Sequence, residues 1–314
     1  MFEEMLRDLT KKLLREKTAD CVIGYAPGRL PFQTEPIIAT SENELNHLAW
    51  NPFCGYNLAR YLKYYKNVNQ KIALLVKGCD ARSVQVLLNE EQIPRERLFL
   101  IGLPCRGLIS PEKLIKNYPN SSPNDFLWNE QGFFYRSQKI ELYPFLEDTC
   151  QRCRYPNPPL YDFLIGEPIT ISNYQIGKKD YLEPLDKLSP EERWNYFYRE
   201  MSKCIRCYAC RNACPLCYCQ ECFVESTKPQ WVSPAATPSD NFLFHLGRTM
   251  HMAGRCVECG ACERACPVSI PIALLPLKME AIIREEFQFE SGVEKEALAP
   301  LLTYRENDPG DFIK

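Results

Sequence analysis

Cysteine is the residue type in this sequence whose number and spacing point most clearly to chemistry. The chain has 314 residues, with 17 cysteines and only three histidines. Eleven of the cysteines lie in two runs, at positions 204–222 and 256–266. In a long chain without an export signal, clustered cysteines bind metal more often than they form disulfides. Ligation by thiolates alone favours iron–sulfur clusters or a four-cysteine zinc site.

Part of each run follows the same pattern, Cys-x2-Cys-x2-Cys-x3-Cys-Pro, at positions 204–215 and 256–267. Three thiolates on one tight turn can bind three irons of a cubane, while the fourth cysteine points to the other cluster. The pattern therefore predicts two [4Fe–4S] clusters with crossed ligands. The first ligand set is Cys204, Cys207, Cys210 and Cys266, and the second ligand set is Cys256, Cys259, Cys262 and Cys214.

Zinc and disulfides are the competing interpretations of the repeat. A zinc ribbon needs two CxxC pairs, so the third cysteine and the cysteine before proline would be superfluous. A disulfide framework is disfavoured more strongly because the chain is long and lacks a signal peptide.

Four cysteines in the first half of the chain form a candidate third site. Cys79 and Cys105 each follow a predicted strand, and Cys150 and Cys153 form a CxxC pair. Ligands gather where neighbouring strands of an α/β sheet end, so the four thiols are expected to converge on a third cluster. The alternative is that Cys79 and Cys105 are ordinary buried thiols.

Four further cysteines form a candidate fourth site. Cys217, Cys219 and Cys222 follow the first motif closely, and Cys54 is available from the other domain as a fourth ligand. Alternatively, some of these thiols only line the first cluster. The remaining cysteine, Cys21, lies in an apolar run and is interpreted as core packing.

The first half of the chain alternates apolar runs with helical patterns. Predicted strands cover residues 21–25, 72–76 and 98–101, and predicted helices cover 57–65 and 81–91. Strands that alternate with helices indicate an α/β domain with a partly parallel sheet. An amphipathic helix is predicted at the N-terminus, a surface loop at 117–129 and an irregular segment at 154–161.

The C-terminal part is predicted to be mainly α-helical, with helices at residues 191–204, 241–252 and 272–287 and a loop at 227–240. The fold class is thus an α/β N-terminal domain followed by a mainly α dicluster domain. The predicted bounds are 1–189, 190–290 and a C-terminal tail at 291–314 that lies over a neighbour or is partly disordered.

Several other side chains are functional candidates. Lys77, Arg82 and Arg106 can hold an anion near the third site, but structurally paired cations are the favoured interpretation. The aromatic run at 194–198 is interpreted as the buried face of a helix rather than a partner surface. The histidines His245 and His251 lie on a predicted helix and require no function.

Composition excludes some classes of function. The formal net charge is −2, so the basic stripe of a nucleic-acid-binding protein is not expected. The sequence contains no run of 18 apolar residues, so no transmembrane helix is predicted. The expected location is the cytoplasm.

The paired motif resembles the dicluster ferredoxins. The run from His251 to Pro267 is similar to the α-helical ferredoxins of fumarate reductase and heterodisulfide reductase iron–sulfur subunits. This resemblance covers residues 191–287. It implies an α-helical ferredoxin-like module.

Residues 70–170 resemble a second family, the beta subunits of coenzyme F420 hydrogenase and formate dehydrogenase. The resemblance is carried by Lys77-Gly-Cys79, by Gly-Leu-Pro-Cys105, and by the CxxC pair with the Ile165-Gly166 dipeptide after it. It implies one [4Fe–4S] cluster beside a flavin. The family's Ser-Gly-Gly stretch is not visible here, and no GxGxxG loop follows a predicted strand, so FAD is retained only as an alternative.

Together the two resemblances imply an electron-transfer subunit of a multisubunit oxidoreductase of anaerobic metabolism. Its expected partners are a catalytic subunit of the hydrogenase or formate dehydrogenase type and a flavoprotein of the heterodisulfide reductase type. The alternative is a flavin-containing subunit that itself oxidises reduced F420 or NAD(P)H. A non-catalytic component is favoured over an independent enzyme.

Overall fold

The structure, a computed structural model of the chain, describes residues 2–129, 131–170, 181–304 and 306. These residues divide into two units. The first unit contains residues 2–82, 92–129 and 131–170, and the second contains residues 83–91, 181–304 and 306. The predicted domain bounds at 189/190 and 290/291 stay predictions.

The described part of the first unit contains eight strands and five α-helices. The strands are β1 Cys21–Pro27, β2 Thr34–Ala39, β3 Ile72–Val76, β4 Leu98–Gly102, β5 Phe126–Asn129, β6 Gly132–Tyr135, β7 Gln138–Ile140 and β8 Phe163–Leu164. The helices are α1 Phe2–Arg15, α2 Glu42–Leu45, α3 Gly78–Asn89, α4 Pro111–Asn117 and α5 Asp148–Gln151; α3 counts with the second unit from Ser83 onward. Short 3₁₀ helices cover Leu58–Tyr65, Arg95–Arg97, Pro123–Asp125 and Tyr143–Phe145.

A five-stranded sheet forms the centre of the first unit, in the order β2-β1-β3-β4-β8. Strands β1, β3, β4 and β8 pair in parallel, and β2 is antiparallel to β1. Every residue of β3 is buried, as expected for a parallel strand covered on both faces. The predicted strands and the partly parallel α/β sheet are confirmed.

The register of β3 and β4 aligns their carboxyl ends, because Val76 lies opposite Gly102. The segments that follow these strands therefore leave the sheet at the same edge. One of them is α3, which confirms the helix predicted at 81–91. The helix predicted at 57–65 is present as a 3₁₀ helix, started by Asn57, whose side chain accepts a hydrogen bond from Ala59 N.

A second sheet, β5-β6-β7, is a small antiparallel meander that sequence analysis missed. The surface loop predicted for residues 117–129 is wrong at its end, because Phe126–Asn129 is a strand. Phe126 packs against Tyr118 and Phe133, with ring centroids 5.6 Å apart in both pairs. These aromatic contacts stabilise the meander although the residues before Phe126 are polar and proline-bearing.

The described part of the second unit contains helices and no strand, which confirms a mainly helical C-terminal region. After the residues of α3, its helices are α6 Glu183–Asp186, α7 Pro190–Ser202, α8 Ala209–Ala213, α9 Pro238–His251, α10 Ala261–Arg264 and α11 Leu274–Phe287, with a 3₁₀ helix at Pro300–Leu302. Helix α9 packs against α7 and α11, and α8 packs against α10.

The core of the second unit is an apolar cluster into which cysteines from both motifs pack. It is built around Met201, Val224, Phe244, Ile270 and Ile272. The cysteines in or against the cluster are Cys204, Cys210, Cys222, Cys262 and Cys266. The metal-ligand candidates are therefore part of the core of this unit.

The aromatic run of α7 does not form its buried face. Trp194 is 52% exposed and Tyr198 45% exposed, so the predicted burial of these two rings is wrong. The buried side of the helix contains Glu200 and Met201, and Phe197 packs against the core. Phe197 and Met201 are four positions apart, which places them on one face of the helix. Trp194 packs beside the partly buried ring of Phe242, with ring centroids 4.9 Å apart.

The described part of the predicted tail packs within the second unit. The Ser291 hydroxyl donates to the Glu280 carboxylate at 2.8 Å, and the Asn89 side chain donates to the Ala297 carbonyl at 2.7 Å. The rest of the predicted tail, residues 305 and 307–314, lies outside the described residues. Among the helices that are described, none is long and apolar enough to cross a membrane.

Candidate metal centres

The two cysteine motifs of the second unit fold into the same loop. In the first motif Arg206 and Tyr208 have left-handed backbones, with φ of 55° and 57°. The residues 52 positions later, Glu258 and Gly260, have φ of 58° and 70°. Only one of the four is glycine, and such strained positions persist where the surrounding structure enforces them and often mark functional sites.

The left-handed residues direct backbone N–H groups at sulfur. Arg206 N donates to Cys204 Sγ at 3.4 Å, and Glu258 N donates to the equivalent thiol of Cys256. Ile270 N donates to Cys266 Sγ at 3.4 Å. Hydrogen bonds of this kind stabilise thiolates and tune the metal groups that thiolates hold.

Short helices position the third cysteine of each motif. Cys210 is the second residue of α8, and Cys262 is the second residue of α10. Because α8 and α10 pack together, the two thiols lie close to each other, and Cys262 contributes to the raised pKa of Cys210. Burial is the larger cause of that pKa, which is about 11.

The fourth cysteine of each motif lies with the other motif. Burial raises the pKa of Cys204, and the thiols of Cys207 and Cys266 add to the effect. Burial likewise raises the pKa of Cys259 to about 11, with Cys214 as its next largest cause. Cys266 thus lies near Cys204, and Cys214 lies near Cys259 and Cys262. The assignment of the two crossed ligand sets stays a prediction.

Cys214 also contacts a cysteine outside the repeat, Cys217. A hydrogen bond from the Cys217 thiol lowers the pKa of Cys214, and the same bond is the main cause of the raised pKa of Cys217. Cys222 packs against the core and is hydrogen-bonded to Arg211, whereas Cys219 is exposed. Cys54 belongs to the first unit, where it is fully buried and its Sγ accepts from Asn51 N at 3.4 Å.

Three candidate cysteines of the first unit, Cys105, Cys150 and Cys153, lie together, and Cys79 lies at the start of the helix that follows β3 at the same edge of the sheet. Cys79 is in the first turn of α3, and Cys105 follows β4. Burial raises the pKa of Cys105 to about 12, with the thiols of Cys150 and Cys153 as further causes. Lys77 lies beside this group, since its own pKa responds to Cys79.

Backbone contacts support the same convergence. Gly107 N donates to Cys105 Sγ at 3.4 Å, and Leu108 N donates to Cys150 Sγ at 3.3 Å. Gly78 is required at the start of α3, because a Cβ there would lie 1.9 Å from the Tyr155 carbonyl oxygen. The chain after the CxxC pair therefore passes directly against the turn that carries Cys79.

Two of the three cations considered near this group, Lys77 and Arg82, have structural partners, as the favoured interpretation of the sequence predicted; for Arg106 that interpretation stays a prediction. Lys77 is buried and forms an ion pair with Asp80 at 2.8 Å, and its ammonium also donates to the Tyr25 hydroxyl and to the Tyr56 carbonyl. The Arg82 guanidinium stacks over the Tyr155 ring at 4.3 Å. Cys21 is buried in β1, as expected for core packing.

Sequence analysis missed two buried polar residues beside the motif cysteines of the second unit, Arg248 of α9 and Glu280 of α11. Glu280 accepts hydrogen bonds from Gly254 N at 2.9 Å and Cys256 N at 3.2 Å, and burial raises its pKa to about 7. The Arg248 guanidinium donates to the Cys210 carbonyl. For Glu280 the available signal was its position between Leu277 and Ile283 on a helix face that is otherwise apolar.

The donor set fits cubanes better than single metal ions. Within the described residues, no group of three or more His, Cys, Asp and Glu side chains is arranged to hold a metal ion. A [4Fe–4S] cluster places irons and sulfides between its thiolates, so the thiolates stand further apart than the four ligands of one zinc ion. Thiol-only donors, N–H groups directed at sulfur and a buried cation are all compatible with such clusters.

Comparison with known proteins agrees with the iron–sulfur character of this site. Residues 200–270 match the 4Fe-4S dicluster domain, and this match together with the relatives supports an iron–sulfur, electron-transfer and oxidoreductase character for the chain. Its homologues are beta subunits of F420-dependent formate dehydrogenases. The subunit from Methanocaldococcus jannaschii is 28% identical over 93% of this chain and 92% of the relative. The beta subunit of F420-dependent formate dehydrogenase 1 from Methanococcus maripaludis is 28% identical over 92% of this chain and 90% of the relative.

A solved structure, the F420-reducing [NiFe] hydrogenase complex from Methanosarcina barkeri, includes a chain that is 16% identical to this one. The match covers 47% of this chain and 58% of that chain, with a TM-score of 0.38. The predicted resemblance to formate dehydrogenase beta subunits with a dicluster ferredoxin module is confirmed by the homologues and the domain match.

Proposed function

We propose that this protein is an iron–sulfur electron-transfer subunit that passes single electrons between a catalytic partner and a flavoprotein. The proposal rests chiefly on the duplicated loop of the second unit. There, Cys204, Cys207, Cys210 and Cys266 would hold one [4Fe–4S] cluster, and Cys256, Cys259, Cys262 and Cys214 the other. When bound, each cluster supplies a site that accepts and releases one electron.

The residues around these sites would control access and charge. The buried apolar cluster around Phe244 and Met201 shields Cys210 from water and partly shields Cys204, Cys262 and Cys266. Exclusion of water lowers the local dielectric constant, so nearby charges act more strongly on a bound group. The finer fold assignment, an α-helical ferredoxin-like module, belongs to the same proposal.

A third cluster in the first unit would be held by Cys79, Cys105, Cys150 and Cys153. Their convergence at the carboxyl edge of β3 and β4 supports this site, as does the F420 hydrogenase beta-subunit-like character inferred for the unit. For the fourth set, Cys54, Cys217, Cys219 and Cys222, the support is cysteine spacing alone. Cys217 and Cys222 lie beside Cys214 and the core, which equally suits thiols that line the first two sites.

The homologues support one of the two proposed partners. Both relatives are named as beta subunits of F420-dependent formate dehydrogenases, so a catalytic subunit of the formate dehydrogenase or hydrogenase type is the proposed partner on one side. A flavoprotein of the heterodisulfide reductase type is proposed on the other. We place this complex in the cytoplasm.

The alternative function is a flavin-containing subunit that oxidises reduced F420 or NAD(P)H. It is favoured by one observation, the word F420-dependent in the names of both relatives. Such an enzyme requires FAD to convert a hydride into two single electrons.

One experiment separates the two functions. Anaerobically purified protein is treated with reduced methyl viologen, reduced F420 or NADH, and the visible absorbance is followed. We expect bleaching by the viologen alone, and no flavin in the supernatant after acid precipitation. Released flavin together with bleaching by reduced F420 or NADH would refute the relay and support the enzyme.

A further inference from the structure

Arg248 is a buried cation that contacts residues of both predicted ligand sets of the second unit. It lies on the buried side of α9 and is only 5% exposed. One amino group of its guanidinium donates to the Cys210 carbonyl at 3.4 Å, and the guanidinium is hydrogen-bonded to the Cys262 and Cys217 thiols. Cys210 belongs to the first ligand set and Cys262 to the second, so one side chain lies between the two sites.

The charge of Arg248 has no carboxylate to balance it. Among the residues that the structure describes, no Asp or Glu side chain forms an ion pair with it, and its Nε has no hydrogen-bond partner. An arginine side chain does not lose its proton in proteins. A buried cation without a counter-charge is strongly destabilising, so the site requires negative charge beside the guanidinium.

The surrounding sulfur atoms are the available source of that negative charge. The groups that favour the charged form of Arg248 are, in order, the thiols of Cys262, Cys214, Cys217 and Cys210. The first two belong to the second ligand set, and the last belongs to the first. Thiolates that carry a cluster of net negative charge would compensate the guanidinium, whereas neutral thiols would not.

We infer that Arg248 is a shared positioning residue that raises the reduction potentials of both clusters, and the second more than the first. This inference rests on the proposed function. Reduction adds one negative charge to a cluster, and a fixed cation nearby stabilises the more negative form. Arg248 is hydrogen-bonded to the sulfur of Cys262 in the second ligand set but only to the main-chain carbonyl of Cys210 in the first, so the larger effect is expected on the second set.

A purely structural role makes a different prediction. Arg248 also ties α9 to the main chain of α8 through the Cys210 carbonyl, and any hydrogen-bond donor of similar length can make that contact. Arg248→Gln keeps a donor and removes the charge, whereas Arg248→Lys keeps the charge and changes the donor geometry. Arg199→Gln is the control, because Arg199 is an exposed arginine of α7 whose charge is removed without touching the motifs.

The test is an EPR-monitored redox titration of the anaerobic full-length protein and the three variants. We expect lower reduction potentials in Arg248→Gln for both clusters of the second unit. The larger shift is expected for the cluster held by the second ligand set. Arg248→Lys should stay close to wild type, and Arg199→Gln should match it. Wild-type potentials in an iron-replete Arg248→Gln protein would overturn the inference.

Measurement of the iron content decides the outcome if a variant fails to assemble its clusters. If Arg248→Gln loses iron while Arg248→Lys keeps it at wild-type potentials, charge is the property that matters and the inference stands. Loss of iron from both variants would overturn the proposed effect of Arg248 on the reduction potentials and leave only a structural role. Wild-type protein without two [4Fe–4S] signals would refute the proposed function, and this role with it.

Discussion

Two buried cations beside the cysteines, Lys77 in the first unit and Arg248 in the second, are balanced in different ways. In the first unit, Lys77 forms an ion pair with Asp80 at 2.8 Å within the protein. In the second unit, Arg248 faces thiols, and no carboxylate of the described residues pairs with it. A cation that already has a carboxylate partner adds little net charge to its surroundings, whereas an unpaired cation adds a full charge.

The difference suggests a division of roles between the two groups of sites. The third site would be tuned mainly by burial and by N–H groups directed at Cys105 and Cys150. The sites of the second unit would be tuned in addition by the charge of Arg248. Clusters in the second unit are thus expected to accept electrons more readily than their burial alone would allow.

Removal of one thiol from the first unit is the strongest way to break this comparison. Cys150→Ala should remove about four irons, those of one [4Fe–4S] cluster, and leave the EPR signals of the second unit unchanged. Iron and acid-labile sulfide analysis measures the loss. Cys21→Ala is the matched control, since it removes a buried thiol outside the proposed ligand sets and should keep all iron. Unchanged iron in Cys150→Ala would remove the first unit from the relay.

Asp80→Asn tests whether the ion pair of the first unit is needed. It leaves Lys77 buried without a counter-charge, which typically destabilises a protein by about 3–5 kcal/mol. The carboxylate also accepts hydrogen bonds from Leu58 N and Lys77 N, both at 2.9 Å. Urea unfolding measures the loss. The control Glu42→Gln breaks the exposed ion pair with Arg15 and should leave the free energy of unfolding near wild type.

An Asp80→Asn protein as stable as Glu42→Gln would show that Lys77 is balanced by something other than Asp80. The comparison between the paired and the unpaired cation would then fail.

His245 gives the second unit a pH dependence. Burial lowers the pKa of its imidazole from 6.5 to about 4, and Arg248 and Arg206 add to the effect. The unfolded chain therefore binds an extra proton between these pH values, and stability falls as pH decreases from 6.5 toward 4. The loss approaches about 3 kcal/mol at the lower end. Unfolding of His245→Phe, measured across the same pH range, should lack this part of the slope, and an identical slope would contradict the assignment.

The smallest expected effect concerns the start of α7, the helix that leads into the first motif. The Ser189 hydroxyl accepts from Glu192 N at 3.3 Å, and the Glu192 carboxylate accepts from Ser189 N at 2.8 Å. Ser189→Ala should destabilise the protein by about 1 kcal/mol in urea unfolding. Ser202→Ala, in the last turn of the same helix, should stay within about 0.5 kcal/mol of wild type. Equal effects of the two substitutions would mean that the cap contributes nothing specific.

The sequence predicted the elements with continuous local patterns. The apolar runs of β1, β3 and β4 and the helical spacing of α9 and α11 are strong signals, because burial of whole strands or faces repeats along the chain. The meander of β5, β6 and β7 was missed because its strands have three or four residues and depend on aromatic contacts with Tyr118 and Phe145. Such contacts join separate segments and leave no periodic trace.

The distinction between local patterns and contacts that join separate segments applies to the candidate sites as well. Motif spacing predicted which cysteines belong together, since the turn that brings three thiols to one side is a local property. The partners of Lys77 and Arg248 were not predictable in this way. Asp80 is only three residues from Lys77, but the other polar contacts of that lysine come from Tyr25 and Tyr56. Arg248 meets Cys210 and Cys262 only after three helices have packed.

The central claim, that the two motifs of the second unit exchange their fourth ligands, is tested most directly by EPR of two single variants. Cys266→Ala should abolish or alter the cluster held by Cys204, Cys207 and Cys210. Cys214→Ala should abolish or alter the cluster held by Cys256, Cys259 and Cys262. The Arg248→Gln protein identifies the signals, because its larger shift in potential marks the second ligand set. If each substitution instead disturbs the cluster of its own motif, the crossed arrangement is contradicted.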